Sequence, residues 1–163
     1  MKEPWDKHHY RWLKSGEVAN NIIFDTEEYI SREGLKGSSA KIIPSGTVVM
    51  AMYGATASQV TYLDCDTTTN QACCNMLTVT FEEAAYLYFH CLYQQENIKR
   101  LANGGAQENL SQELICAQPI LICENTHIYD VFSKLLSAKI AFSKENYCCG
   151  ILLKNLLSNI VII

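Results

Sequence analysis

From Thr126 to the end of the chain, Ile128, Leu135, Phe142, Cys149, Leu156 and Ile163 recur every seven residues. A sustained seven-residue apolar period writes one stripe along a long helix and argues for a coiled-coil-type helix that seeks a partner. Val131, Phe132, Ala138, Leu152, Leu153 and Ile160 partly fill a second seam, which Lys139, Glu145, Asn146 and Asn159 interrupt. Gly150 weakens the helix locally by ~1 kcal/mol. Residues 125–163 are therefore expected to form a spacer or dimerisation helix. The competing expectation is that the stripe packs back on the chain's own domain.

What precedes the helix has to supply the core. At 163 residues with 48% apolar content, the chain has enough material for one domain with an appendage. It lacks the ~18 consecutive apolar residues of a membrane span, and MKEPWDKHHYRW does not read as a signal peptide. A cytoplasmic protein without membrane contact is expected.

Short elements alternate along residues 1–124. Tyr10 to Leu13 reads as a strand entering the Lys14-Ser15-Gly16 turn. Asp25 with Glu28 is a capping-box signal and Gly34 a stop, which predicts a short helix over Thr26 to Glu33. Gly37-Ser38-Ser39 is a polar loop and Pro44-Ser45-Gly46 a turn. Strands are expected over Thr47 to Met52, Gln59 to Leu63 and Asn75 to Phe81, with Tyr53-Gly54-Ala55-Thr56 as a break. Glu82 to Ala102 has a helical face at Leu87, Cys91, Ile98 and Leu101, acids at its start and Lys99-Arg100 near its end. In "NGGAQENLSQ" (Asn103 to Gln112), Gly104 or Gly105 can end that helix in the left-handed conformation. Asn109 with Gln112 can cap the next one. A last strand is predicted over Ala117 to Cys123. The class is α+β (α/β).

Eight cysteines form no C-x-x-C, and no histidine sits at finger-like spacing, so no metal site is expected. Buried free thiols acting as small hydrophobes are the expected state. The net charge of −4 does not advertise nucleic-acid binding, but its distribution is uneven. Seven of the thirteen Lys and Arg fall before residue 42, and none occurs from Ile42 to Ile98. Seven acids share that first segment, so a mixed solvated surface competes with a phosphate-facing one.

Four blocks occur together: "WLKSGEV" (Trp12–Val18), "GLKGSSAKIIPSGTVVMAMYGAT" (Gly34–Thr56), "TTTNQACC" (Thr67–Cys74) and "NGGAQENLSQELI" (Asn103–Ile115). In order and spacing they resemble the target recognition domain of the specificity (S) subunit of type I restriction-modification enzymes, over roughly residues 10 to 124. The resemblance implies an α/β DNA target recognition domain over 1–124 followed by the spacer helix over 125–163. It implies a chain without catalysis or cofactor of its own that reads half of a split double-stranded DNA site. Methyltransferase (M) subunits using S-adenosylmethionine and restriction (R) subunits using ATP and Mg2+ would be its partners. A family recognition domain has further sequence before its counterpart of Trp12, and a full subunit has two such domains. The chain is thus expected to be a half-subunit or a truncated fragment, N-terminally incomplete, pairing with a second copy or another S polypeptide. Ile128, Leu135, Phe142, Cys149, Leu156 and Ile163 are the expected partner interface.

DNA binding requires cations and hydroxyls on phosphates, and side chains that read base edges. Lys14 and Ser15 in the first turn, with Arg32, Lys36, Ser38, Ser39 and Lys41 around the second loop, are candidates for the first role. Tyr53, Thr56, Ser58 and Gln59 are candidates for the second; glutamine can bond adenine in bidentate fashion. For each, the plainer reading is a solvated surface residue or turn former. Asn70 and Gln71 read as buried amides satisfying the backbone. Two rival functions stand beside this one. One is a cysteine-dependent enzyme using Cys73 or Cys74 with His90 or His127; the other is a fragment that binds an S subunit through its helix without reading DNA.

Overall fold

A computed structural model describes residues 9–102 and 109–160. The elements are β1 (His9–Leu13), β2 (Ile22–Ile23), β3 (Glu28–Ser31), α1 (Arg32–Lys36), β4 (Ile42–Ile43), β5 (Val48–Ala51) and β6 (Val60–Leu63), then β7 (Thr67–Thr69), β8 (Cys73–Met76), α2 (Phe81–Ala102), α3 (Gln112–Cys116) and α4 (His127–Ile160). This is the expected α+β domain with a long C-terminal helix.

The strands form two four-stranded sheets, ordered β3-β1-β7-β4 and β2-β6-β5-β8. The apolar run of β5 is buried on both faces, and the pleat sends alternate side chains to two cores. Val48 and Met50 join Val60, Tyr62, Ala85, Tyr88 and Leu136 beneath α2 and α4. Val49 and Ala51 join Leu13, Val18, Ile23 and Leu63 on the other face. Each fully buried aliphatic side chain contributes about 1.5–3 kcal/mol relative to an exposed one.

The helix predicted over Thr26 to Glu33 does not form. Asp25, the expected cap, is taken by tertiary partners: Arg11 Nε donates to its Oδ1 at 2.9 Å, and the Tyr29 hydroxyl donates to the same oxygen. Glu28 to Ser31 instead pair antiparallel with β1. The cap moves to Ser31, whose Oγ accepts from Gly34 N at 3.0 Å, so Gly34 lies inside α1 rather than ending a helix. The strand expected over Asn75 to Phe81 stops at Met76, because Thr80 and Glu83 close a capping box on α2: Glu83 N donates to Thr80 Oγ1 at 3.2 Å and Thr80 N to Glu83 Oε2 at 3.3 Å.

Asn109 does not cap α3. Ser111 does, accepting from Leu114 N at 3.1 Å, while Asn109 forms a β-bridge with Tyr53. Gly104 and Gly105 lie outside the described residues. The strand predicted over Ala117 to Cys123 is absent; Pro119 lacks a donor, and the segment is held by Tyr86 Oη donating to the Leu121 carbonyl and Cys123 N donating to Tyr129 Oη at 3.3 Å.

Helix α4 lies on α2 through a face other than the heptad stripe. Leu136 is fully buried, with Phe132 and Ile140 packed beside it one turn either way. Tyr86 of α2 meets Phe132 edge-on with ring centroids 5.4 Å apart, Phe89 lies tilted against Phe132 at 5.5 Å, and Tyr147 reaches Phe24 at 5.6 Å. The stripe, about 100° away around the helix at Leu135, stays in solvent. Leu135 is 50% exposed, Phe142 67% and Leu156 62%; Ile128 and Cys149 are exposed too, and Ile163 lies outside the described residues. Among the described residues no helix is long and apolar enough to cross a membrane.

Candidate nucleic-acid interface

Strand β1 organises the candidate residues. His9 pairs with Ser31 and Trp12 with Glu28, so α1 departs at the His9 end while Lys14 and Ser15 follow the Leu13 end. β3 and β4 run parallel at opposite edges of their sheet, and residues 32–41 cross between them. Ile42 pairs with Thr68, itself opposite Trp12, so by Lys41 the chain has returned to the Leu13 end.

Around Lys14 the charge is acidic. Its Nζ sits 2.8 Å from Glu28 and 4.0 Å from Glu27, and its backbone N donates to Glu17. The hydrogen bond to Glu28, followed by the charges of Glu28, Glu27 and Glu17, raises the Lys14 pKa. One cation faces three carboxylates, which repels phosphate. The turn itself meets the second candidate set: Thr56 Oγ1 donates to the Ser15 carbonyl at 2.9 Å. Tyr53 stands in the same corner, 40% exposed, at the head of the Gly54–Thr56 turn, with Gly54 at φ +73°.

The crossover is of opposite character. Arg32, Lys36, Ser38, Ser39 and Lys41 are all exposed, and Glu33 is the one acid among residues 32–41. Ser38 Oγ accepts from Ala40 N at 3.3 Å and donates to the Leu35 carbonyl at 3.4 Å, which shapes the loop between the cations. Three cations and two hydroxyls thus lie on one solvent-facing segment, a composition that meets the requirement for phosphate contact.

Ser58 has to be withdrawn as a base reader. It is fully buried, its φ of +71° turns the chain into β6, and its Oγ has no hydrogen-bond partner among the described residues. Gln59 is half-buried at the start of β6 and Thr56 half-buried above Ser15. Asn70 Oδ1 accepts from Ala72 N at 3.2 Å, the expected backbone role, whereas Gln71 is exposed. The contribution of Asn109, which ties the "NGGAQENLSQ" segment to Tyr53, was signalled only by its place in that motif.

The thiols are set against nucleophilic chemistry. Burial pushes Cys73 and Cys91 up to about 12 and Cys74 up to about 11, which keeps them protonated at neutral pH. Cys73 Sγ bonds Asn70 Oδ1 rather than an imidazole. His127 is on the exposed first turn of α4 beside Asp130, and His90 stacks on Tyr86. Among the described residues no group of His, Cys, Asp and Glu could hold a metal ion.

Comparison with known families decides the class. The profile described as "Type I restriction modification DNA specificity domain" matches residues 1–147. The chain belongs to that family. As a type I DNA specificity domain, it has a fold shared with a solved chain from a study of complex assembly and conformational transition of the type I R-M system. That chain is 9% identical, with a TM-score of 0.53 over 94% of this chain. The present chain spans 39% of the length of that one. No curated protein matches the sequence.

Proposed function

We propose that this specificity domain reads double-stranded DNA with the crossover at residues 32–41 on the phosphate backbone and the Tyr53–Gln59 turn toward base edges. The observation that carries the proposal is the segregation of charge: Arg32, Lys36 and Lys41 are exposed against one acid, while Lys14 is held by Glu28 at 2.8 Å. Family membership supports DNA as the partner. The Thr56–Ser15 hydrogen bond and the Tyr53–Asn109 bridge brace the reading turn, as a loop that must hold its side chains in fixed geometry requires.

In this reading the chain performs no chemistry and needs no cofactor. Methylation and cleavage belong to M and R subunits, with S-adenosylmethionine, ATP and Mg2+ acting there, and this chain positions them on a bipartite site. The direct test is binding of the full chain to short duplexes at low and high salt. Affinity falls steeply with salt if the crossover contacts phosphates, and equal affinity at both would contradict the proposal.

A further inference from the structure

The crossover that carries Arg32, Lys36 and Lys41 hangs between β3 and β4, at opposite edges of one sheet. Gly34 N donates to Ser31 Oγ at 3.0 Å, Gly37 N to the Glu33 carbonyl at 2.8 Å and Ala40 N to Ser38 Oγ at 3.3 Å. These bonds shape the segment from within; the strands at its two ends place it in the fold.

Arg11 stands between those two ends. It is buried, and it lies opposite Tyr29 in the antiparallel pairing of β1 with β3. Its Nε donates to Asp25 Oδ1 at 2.9 Å, and the same oxygen accepts from the Tyr29 hydroxyl and from Thr26 N at 3.0 Å. On the other side, the Arg11 carbonyl accepts from Thr68 Oγ1 at 2.5 Å and Thr67 Oγ1 at 3.3 Å. Those two threonines pair with Ile42 and Ile43 of β4. Asp25 is itself held from behind: Ile22 and Ile23 pair with Tyr62 and Leu63, and Phe24 lies against Tyr147 of α4. Burial, then the hydrogen bond to Asp25, raises the Tyr29 hydroxyl to about 12, so it remains a donor at neutral pH.

A buried ion pair adds little net stability over apolar side chains of the same size. What this one supplies is geometry, since a planar guanidinium and a shared carboxylate oxygen admit few arrangements. We propose that Arg11, Asp25 and Tyr29 are positioning residues for DNA binding: they set the two ends of the crossover relative to each other, and so set its three cations against the phosphates. The inference rests on the crossover as the phosphate face and adds residues that touch no DNA themselves. It follows the general requirement that a binding constellation be held by a supporting layer of hydrogen bonds.

Tyr29→Phe and Asp25→Asn in the full chain test it, through duplex binding over a range of salt beside circular dichroism and thermal unfolding. Neither variant removes a cation. Asp25→Asn removes a negative charge, so charge alone would tighten binding to a polyanion. Positioning requires the opposite: both variants bind every sequence several-fold more weakly, and the slope of log affinity against log salt shrinks by about 0.9, one phosphate contact. Should Asp25→Asn fail to fold, Tyr29→Phe decides, because it keeps the exposed ring and loses only the hydroxyl. A folded Tyr29→Phe with wild-type affinity and slope would overturn the inference, as would a folded Asp25→Asn that binds more tightly. Weaker binding at an unchanged slope would overturn it too, because lost contacts must show in the slope. A wild-type chain that binds without salt dependence would remove the phosphate face itself and the inference with it, so the wild-type slope tells the two failures apart.

Discussion

The Thr56 hydroxyl donates to the Ser15 carbonyl at 2.9 Å, fastening the turn between β5 and β6 to the turn that follows β1, 41 residues earlier. Two loops that the chain places far apart thereby act as one corner. Thr56→Val keeps the shape of the side chain and removes the donor, at an expected cost of about 1 kcal/mol. Hydrogen exchange at Ala57 and Gln59, whose amides close the turn onto Gly54 and Thr56, is the readout. Unchanged protection there would show that the hydrogen bond does not hold the corner.

Leu135 and Leu136 are neighbours with opposite fates, one half in solvent and the other fully buried against α2. Leu136→Ala is expected to destabilise the domain by about 2–5 kcal/mol through the cavity it opens. Leu135→Ala, on the solvent side of α4, is expected to change the stability of the domain by less than about 0.5 kcal/mol, as substitutions away from packed features do. Urea unfolding of the two variants measures the difference, and equal losses would mean that α4 does not lie on α2 as described.

The buried thiols make stability depend on alkaline pH. Cys73 and Cys91 are raised by burial from 9.0 to about 12, so above pH 9 the unfolded chain loses protons that the folded chain retains. Their stabilising contribution is complete below that pH and is lost as pH climbs toward 12. In the native state the exposed Cys116, Cys148 and Cys149 are expected to label fast with a thiol reagent, and Cys73, Cys74 and Cys91 only on unfolding. Rapid native labelling of Cys73 or Cys74 would reopen the case for a reactive cysteine.

Elements whose identity is local were legible in the sequence. The apolar run of β5, the charge-graded α2 and the heptad-bearing α4 are all present, because period and end-charges act within a few residues. Elements defined by distant partners were not. β2 and β4 are two residues each and exist through pairings such as Ile22 with Tyr62 and Ile43 with Thr67. Asp25 looked like a cap because Arg11, its real partner, lies 14 residues away. Lys14 looked like a free cation for the same reason: with Glu28 read as helical, nothing showed that an antiparallel β3 would carry it to the end of β1. Ser58 failed as a reader because its burial follows from a left-handed turn on a non-glycine residue, which composition does not signal. On α4 the stripe itself was plain. That Phe132, Leu136 and Ile140 would take the domain-facing side depended on where α2 presents Tyr86 and Phe89.

The claim that the crossover is the phosphate face is tested most directly by the salt dependence of duplex binding. Each phosphate contact contributes about 0.9 to the slope of log affinity against log salt on double-stranded DNA. Removing Arg32, Lys36 and Lys41 together is expected to lower that slope by roughly 3 and to weaken binding to every sequence alike. Lys14→Ala, its charge already engaged by Glu28 and Glu27, is expected to leave the slope unchanged. A triple variant with the wild-type slope, or a Lys14→Ala variant that loses one contact's worth, would contradict the account.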